Sequence, residues 1–234
     1  MNATEIAQSV GRHVAPHVAV GLGVRTGKDG VWRKEVGGSV SLLFDLASVT
    51  KPMTAAAAAV SGASLRAPLG FLLSEARGTA SERVPLELFF AHRAGLAEHR
   101  PLYAPLVRGE RVDVAGALRE AADARRPDAE GEPPGEGFSP VYSSLGYALA
   151  GAAIAHASGS VDAGAAIAGL VLGPLGIADH AGTVRDLRAR GVGGPFAATE
   201  DVPWRGGSVV GVVHDENAWA LTGEGGSGHA GIFG

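Results

Sequence analysis

The 234-residue sequence contains no cysteine, which removes disulfides, thiolate zinc sites and cysteine nucleophiles together. Lysine is scarce, confined to Lys28, Lys34 and Lys51. The basic residues form no run and the formal charge is −4. Phosphate binding needs clustered positive charge, so nucleic acid is not an expected partner. The longest small-apolar run, Ala55 to Val60, falls far below the roughly 18 residues of a membrane span, so no membrane partner is expected. Met1-Asn2-Ala3-Thr4-Glu5-Ile6 lacks the basic start and apolar stretch of a secretion signal, and a cytoplasmic location is expected. What is present, 46% hydrophobic and 19% charged residues, suits a core-forming chain of one large domain or two interlocked ones. Glycine, 36 of 234, is about twice its ~7% average and scattered without a short period, which implies many turns and close contacts.

Apolar positions Ile6, Ala7, Val10 and Val14 recur at helical spacing, with Thr4 available as a cap. Val18 to Val24 and the alternating Val31 to Val36 predict a β-hairpin turning at Asp29-Gly30, and Val40 to Phe44 predicts a third short strand. Helices are expected over Pro52–Val60, Pro68–Ala76, Val84–Ala91, Val112–Ala124, Ser144–Ala157 and Val161–Leu172, with a solvated loop from Asp128 to Pro140. After Gly173 the chain turns glycine-rich and irregular, then reads as a strand from Val209 to Val213. Strands, helices and strands again suggest a helical subdomain, residues 48–175, inserted between two parts of an α/β subdomain, residues 1–47 and 176–234. The cleft between them is the natural site.

Ser48-Val49-Thr50-Lys51 stands where strand gives way to helix. Residues three apart on a helix share a face, so the Ser48 hydroxyl and Lys51 amine can meet: a nucleophile beside a base. Pro52 belongs in a helix's first turn and places the helix start near Ser48, at the end where an oxyanion is favoured. Lysine in water, with a pKa of ~10.4, is almost wholly protonated at neutral pH. The apolar neighbours Ala47, Val49, Met53 and Ala55 are of the kind that bury an amine and favour its neutral form. Tyr142-Ser143-Ser144 opens a helix and offers a phenol for proton relay, or a packing tyrosine before a helix capped by Ser143 or Ser144. His229-Ala230-Gly231 can lie on a strand edge, presenting His229 to substrate beside a backbone N–H for an oxyanion, or in plain glycine-rich coil.

Taken together and in this order, Ser48-x-x-Lys51, Tyr142-x-Ser144 and His229-x-Gly231 resemble the serine hydrolases related to class C β-lactamases and penicillin-binding proteins, including esterases and D-aminopeptidases. Phe44 to Pro52, His92-Arg93-Ala94-Gly95-Leu96 and Val213 to Ala218 resemble segments flanking that family's motifs. The resemblance runs from about Val18 to the last residue. It implies an α+β fold, an antiparallel sheet flanked by helices with an inserted helical subdomain. It also implies that Ser48 attacks a carbonyl, Lys51 and Tyr142 move its proton, and the N–H groups of Ser48 and Ile232 hold the oxyanion. Ser144, His229, Gly231 and Ile232 are the expected substrate contacts. No cofactor or metal is implied, and adjacent His214, Asp215 and Glu216, read as strand, would point to opposite faces rather than share an ion. His92 reads as a loop-fixing residue.

Two residues depart from the family pattern. Ser144 stands where an asparagine is usual and His229 where a lysine is usual, which favours an esterase- or amidase-like hydrolase of small esters or amides over β-lactam chemistry. A β-lactamase-like or penicillin-binding D,D-peptidase is the alternative. The sequence stops directly after the third motif, where family members continue with further strands and a C-terminal helix; those elements are expected to be missing here. A truncated, non-catalytic binding protein is therefore the third reading.

Overall fold

The protein is seen here as a computed structural model that describes residues 1–28 and 30–234. Helix α1 (Ala3–Gly11) is capped by Asn2 rather than Thr4. The Asn2 side chain accepts the Glu5 N–H at 2.9 Å and the Glu5 carboxylate accepts the Asn2 N–H at 3.0 Å, a reciprocal box that satisfies two orphan donors. Strands β1 (Ala19–Thr26) and β2 (Val31–Gly38) pair antiparallel, as the alternation predicts. Asp29, half of the expected turn pair, lies outside the described residues; Gly30 takes φ +66°.

Residues 40–44 do not form the expected strand. Gly38, at φ +85°, and a bend closed by Leu42 N–H to Ser39 O take up the first half of the segment. Only isolated bridges follow, Leu43 to Phe196 and Asp45 to Phe233. The Phe44 and Leu46 N–H groups donate to the carbonyls of Gly234 and Ile232, so the approach to Ser48 is fastened to residues nearly two hundred positions later in the chain.

A 3₁₀ turn (Ala47–Val49) runs into α2 (Thr50–Val60). The next expected helix divides into α3 (Leu69–Leu72) and a 3₁₀ turn (Ser74–Ala76), because Leu73 between them is extended. Then come α4 (Leu86–Phe90), α5 (Ala104–Val107), α6 (Val114–Asp123), α7 (Ser144–Ala157) and α8 (Ala163–Ile167), which continues as a π-helical turn over Ala168–Leu172. Helix α7 has no polar face: ten of its residues, from Leu145 to Ala155, are buried. A helix apolar all round must be surrounded, and α2, α3, α4, α6 and α8 surround it. Phe89, Leu145, Leu149, Ile154, Ile167 and Leu172 form the centre of this core.

Beyond it stand α9 (Val184–Ala189), β3 (Ala198–Val202), β4 (Gly207–Val210) and α10 (Glu216–Thr222), with β3 and β4 antiparallel. The expected strand to Val213 ends at Val210, where Gly211 takes φ +61°; Val213 instead enters a second small core with Val184, Leu187, Ala218 and Phe233. Residues 216–222, read as strand at their start, are helical because the Asp215 side chain caps them by accepting the Ala218 N–H at 2.9 Å. The antiparallel pairs thus lie in two small sheets around a helical body. Among the described residues no helix is long and apolar enough to cross a membrane.

Candidate active site

Ser48 lies in the 3₁₀ turn that opens α2, and the residue before it, Ala47, is left-handed at φ +44°. That conformation costs a residue with a Cβ about 1–2 kcal/mol. It is held by Asp45, whose Oδ1 accepts the Ala47 N–H at 2.8 Å and whose Oδ2 accepts the His214 N–H at 2.8 Å. The distortion turns Ser48 outward, and no acceptor among the described residues takes the Ser48 N–H.

One helical turn on, Lys51 is buried, 5% exposed. Its Nζ donates to Ser48 Oγ at 2.9 Å and to the His229 carbonyl oxygen at 3.2 Å. Tyr142 OH shares a hydrogen bond of 2.8 Å with the same Ser48 Oγ. The Lys51 nitrogen stands 4.9 Å from the Tyr142 ring centre and 5.9 Å from that of Tyr147. Three segments, residues 48–51, 142 and 229, therefore converge on the Ser48–Lys51 pair.

Tyr142 is delivered by the loop before α7. Ser143, not Ser144, caps that helix: its Oγ accepts the Gly146 N–H at 3.2 Å and donates to the Ala97 carbonyl at 2.6 Å. Nδ1 of His92 accepts the Ser143 N–H at 3.0 Å, and the His92 ring lies 4.7 Å from that of Tyr142. His92 thus fixes the loop and takes no part at the hydroxyl. Its proton sits on Nε2, because Nδ1 is an acceptor. Burial first, and the Lys51 charge second, push the His92 pKa down; a neutral ring follows, which is the form that accepts the Ser143 N–H.

Burial alone would raise the Tyr142 pKa, but the adjoining Lys51 and Ser48 groups outweigh it and bring the phenol below its ordinary value. Burial raises that of Tyr147. An ultraviolet titration of phenolate absorbance should accordingly show an early step and a late one. Tyr142→Phe should delete the early step and leave the late one; persistence of the early step would place Tyr142 away from Lys51.

The third motif departs from its expected geometry. Residues 227–230 form a tight turn, Ser227 N–H to Ala230 O at 3.0 Å and Ala230 N–H to Ser227 O at 3.3 Å, rather than a sheet edge. The His229 ring is 1% exposed, with Nδ1 paired to Ser227 Oγ at 3.0 Å and Nε2 to Asp215 Oδ1 at 2.9 Å. Its carbonyl, not its ring, faces the site. The Ile232 N–H is also spent, donated to Thr50 Oγ1 at 3.3 Å, so it is not a free oxyanion donor. Gly231 takes φ +109°, backbone that a Cβ disfavours, and packs on Gly225 and Gly226. Ser144 stands in the first turn of α7, its N–H donated to the Glu98 carbonyl at 3.1 Å. Asp215 and Ser227 are polar partners that the sequence reading missed. The one signal for Asp215 was its place three residues before Ala218, the spacing of a helix cap. Among the described residues, no three His, Asp or Glu side chains form a group able to hold a metal ion.

A helical body with small antiparallel sheets is a fold already seen in solved structures. The chain aligns with a class C β-lactamase from Rhodobacter sphaeroides at 19% identity and a TM-score of 0.61, covering 100% of this chain and 62% of that one. With the β-lactamase/D-alanine carboxypeptidase from Pseudomonas syringae the values are 17% and 0.62, over 98% and 61%. These likenesses show the fold, and the chain spans about three fifths of the length of those structures. No curated protein matches the sequence. The family model described as Beta-lactamase matches residues 8–234; the chain belongs to the beta-lactamase family.

Proposed function

We propose that the protein is a serine hydrolase that forms an acyl-enzyme on Ser48 and acts on small esters or amides. The observation that carries this reading is Ser48 Oγ, 2.9 Å from Lys51 Nζ and 2.8 Å from Tyr142 OH. In the first step Oγ bonds to the substrate carbonyl carbon while its proton passes to the Lys51–Tyr142 pair. The Ser48 N–H supplies one oxyanion contact, favoured by the start of α2. As the carbonyl re-forms, the bond to the alcohol or amine breaks, and the proton held by the pair goes to that leaving group. Water then attacks the acyl carbon, returns its proton to the pair and releases the acid, with Oγ reprotonated. The steps balance with no redox partner.

Ser144 supports a preference for esters over β-lactams, since its one short hydroxyl lacks the separate NH₂ and C=O groups with which a side-chain amide holds two partners in fixed geometry. The His229 ring is buried and held by Ser227 and Asp215, out of reach of a substrate carboxylate. A short-chain p-nitrophenyl ester should be turned over faster than a chromogenic cephalosporin. The reverse order would favour the β-lactamase-like or D,D-peptidase reading. A fluorophosphonate should label Ser48, and Ser48→Ala should abolish the adduct; no labelling in a folded sample would leave a non-catalytic binding protein.

A further inference from the structure

We infer that Asp215, His229 and Ser227 form a buried positioning chain that aims the His229 carbonyl at Lys51 and so sets the place of the amine beside Ser48. None of the three side chains touches Ser48 Oγ. They act on the backbone that does the holding, and the inference rests on the reading of Ser48 and Lys51 as nucleophile and base.

The chain begins at the start of α10. Asp215 Oδ1 accepts both the Ala218 N–H and His229 Nε2–H, each at 2.9 Å. Burial works against the Asp215 carboxylate, yet the hydrogen bond from His229 prevails and holds its pKa far below the usual range. An ionised acceptor places the ring proton on Nε2, leaving Nδ1 to accept from Ser227 Oγ at 3.0 Å. Every polar atom of the buried ring is thereby satisfied, which a 1%-exposed imidazole requires.

The same turn is clamped from the other side. The Gly228 carbonyl accepts from Thr54 Oγ1 at 2.8 Å and the His229 carbonyl from Lys51 Nζ at 3.2 Å, so two successive carbonyls point at one face of α2. Behind them Gly228 lies against Gly151 of α7, where a Cβ on Gly228 would stand 2.7 Å from the Gly151 Cα. The turn cannot retreat. With its back against α7, its remaining freedom is rotation about the His229 peptide, and the ring's two hydrogen bonds remove it. Lysine carries four rotatable side-chain bonds, and a fixed acceptor is what selects the rotamer facing Ser48.

The test separates this role from helix capping. Asp215→Ser keeps a capping hydroxyl for α10 but is too short to reach His229. Asp215→Asn keeps both the cap and an acceptor for Nε2–H. The rate of Ser48 modification by a fluorophosphonate should fall about 10- to 100-fold in Asp215→Ser, the scale of a misplaced catalytic group. In Asp215→Asn it should stay within about threefold of the parent. Because the chain holds three lysines, the ¹³Cε resonance of Lys51 is separable from those of Lys28 and Lys34. It should move in Asp215→Ser and in His229→Leu and hold in Asp215→Asn, while the two other lysines stay in place. Equal labelling rates and an unmoved Lys51 resonance in Asp215→Ser overturn the inference while leaving the hydrolase reading intact. Should both Asp215 variants slow equally, the carboxylate acts through its charge or the cap, and the inference falls as well. If the parent protein is never labelled, the hydrolase reading fails, and the Lys51 resonance alone decides whether the chain positions the amine.

Discussion

Lys51→Ala is expected to slow acylation of Ser48 by about 10²- to 10⁴-fold, the range assigned to a positioned proton-transfer group. Lys51 is the centre of the site: its Nζ binds Ser48 Oγ and the His229 carbonyl and lies beside Tyr142. Alanine removes the proton acceptor and frees the carbonyl that the amine had satisfied. The helix itself should persist, since alanine is the best helix former and α2 is already alanine-rich. The measurement is single-turnover release of p-nitrophenol, with circular dichroism confirming the fold. Ester turnover equal to the parent's would remove Lys51 from the mechanism.

The second large effect concerns stability. Gly228→Ala should destabilise the protein by about 3 kcal/mol or more, the upper part of the range for overpacking. A methyl there meets the Tyr147 carbonyl and the Gly151 backbone of α7, neither of which has a side chain to swing aside. Gly151→Ala meets the same contact from the helix side, with Gly228 N at 2.7 Å, and should cost a similar amount. Gly135→Ala is the control, because an added Cβ finds nothing within 4 Å. Denaturant midpoints should place the first two far below the parent and the third beside it. A parent-like midpoint for Gly228→Ala would mean that the turn is free to withdraw from α7.

The parts of the site visible in the sequence are those fixed by local spacing. Ser48 and Lys51 share a face because they are three residues apart, and α7 runs from Ser144 to Ala157 as its composition predicts. The motif at 229 meets Lys51 through its carbonyl rather than presenting its ring to the site. A sequence names side chains and does not say which way a peptide carbonyl turns, so the motif alone suggests an outward ring and a backbone N–H donor. The loss of Ile232 as a donor has the same origin, since Thr50 looks like an ordinary helix residue until its hydroxyl is seen 3.3 Å from that N–H. Helices α5, α9 and α10 span four to seven residues, too few for an apolar period to emerge. Asp215 stays hidden because a strand reading of residues 214–216 gives no reason to look for a helix cap there.

Leu46, two residues before the nucleophile, donates its N–H to Ile232, and Lys51 relies on the carbonyl of residue 229. Closing a loop of that length is entropically costly and belongs late in folding. While the chain is being synthesised, Ser48 is an ordinary alcohol with no partner for its proton. On the proposed hydrolase reading, its setting is complete only when the distant segment docks against Lys51, which makes electrophile uptake a reporter of native assembly.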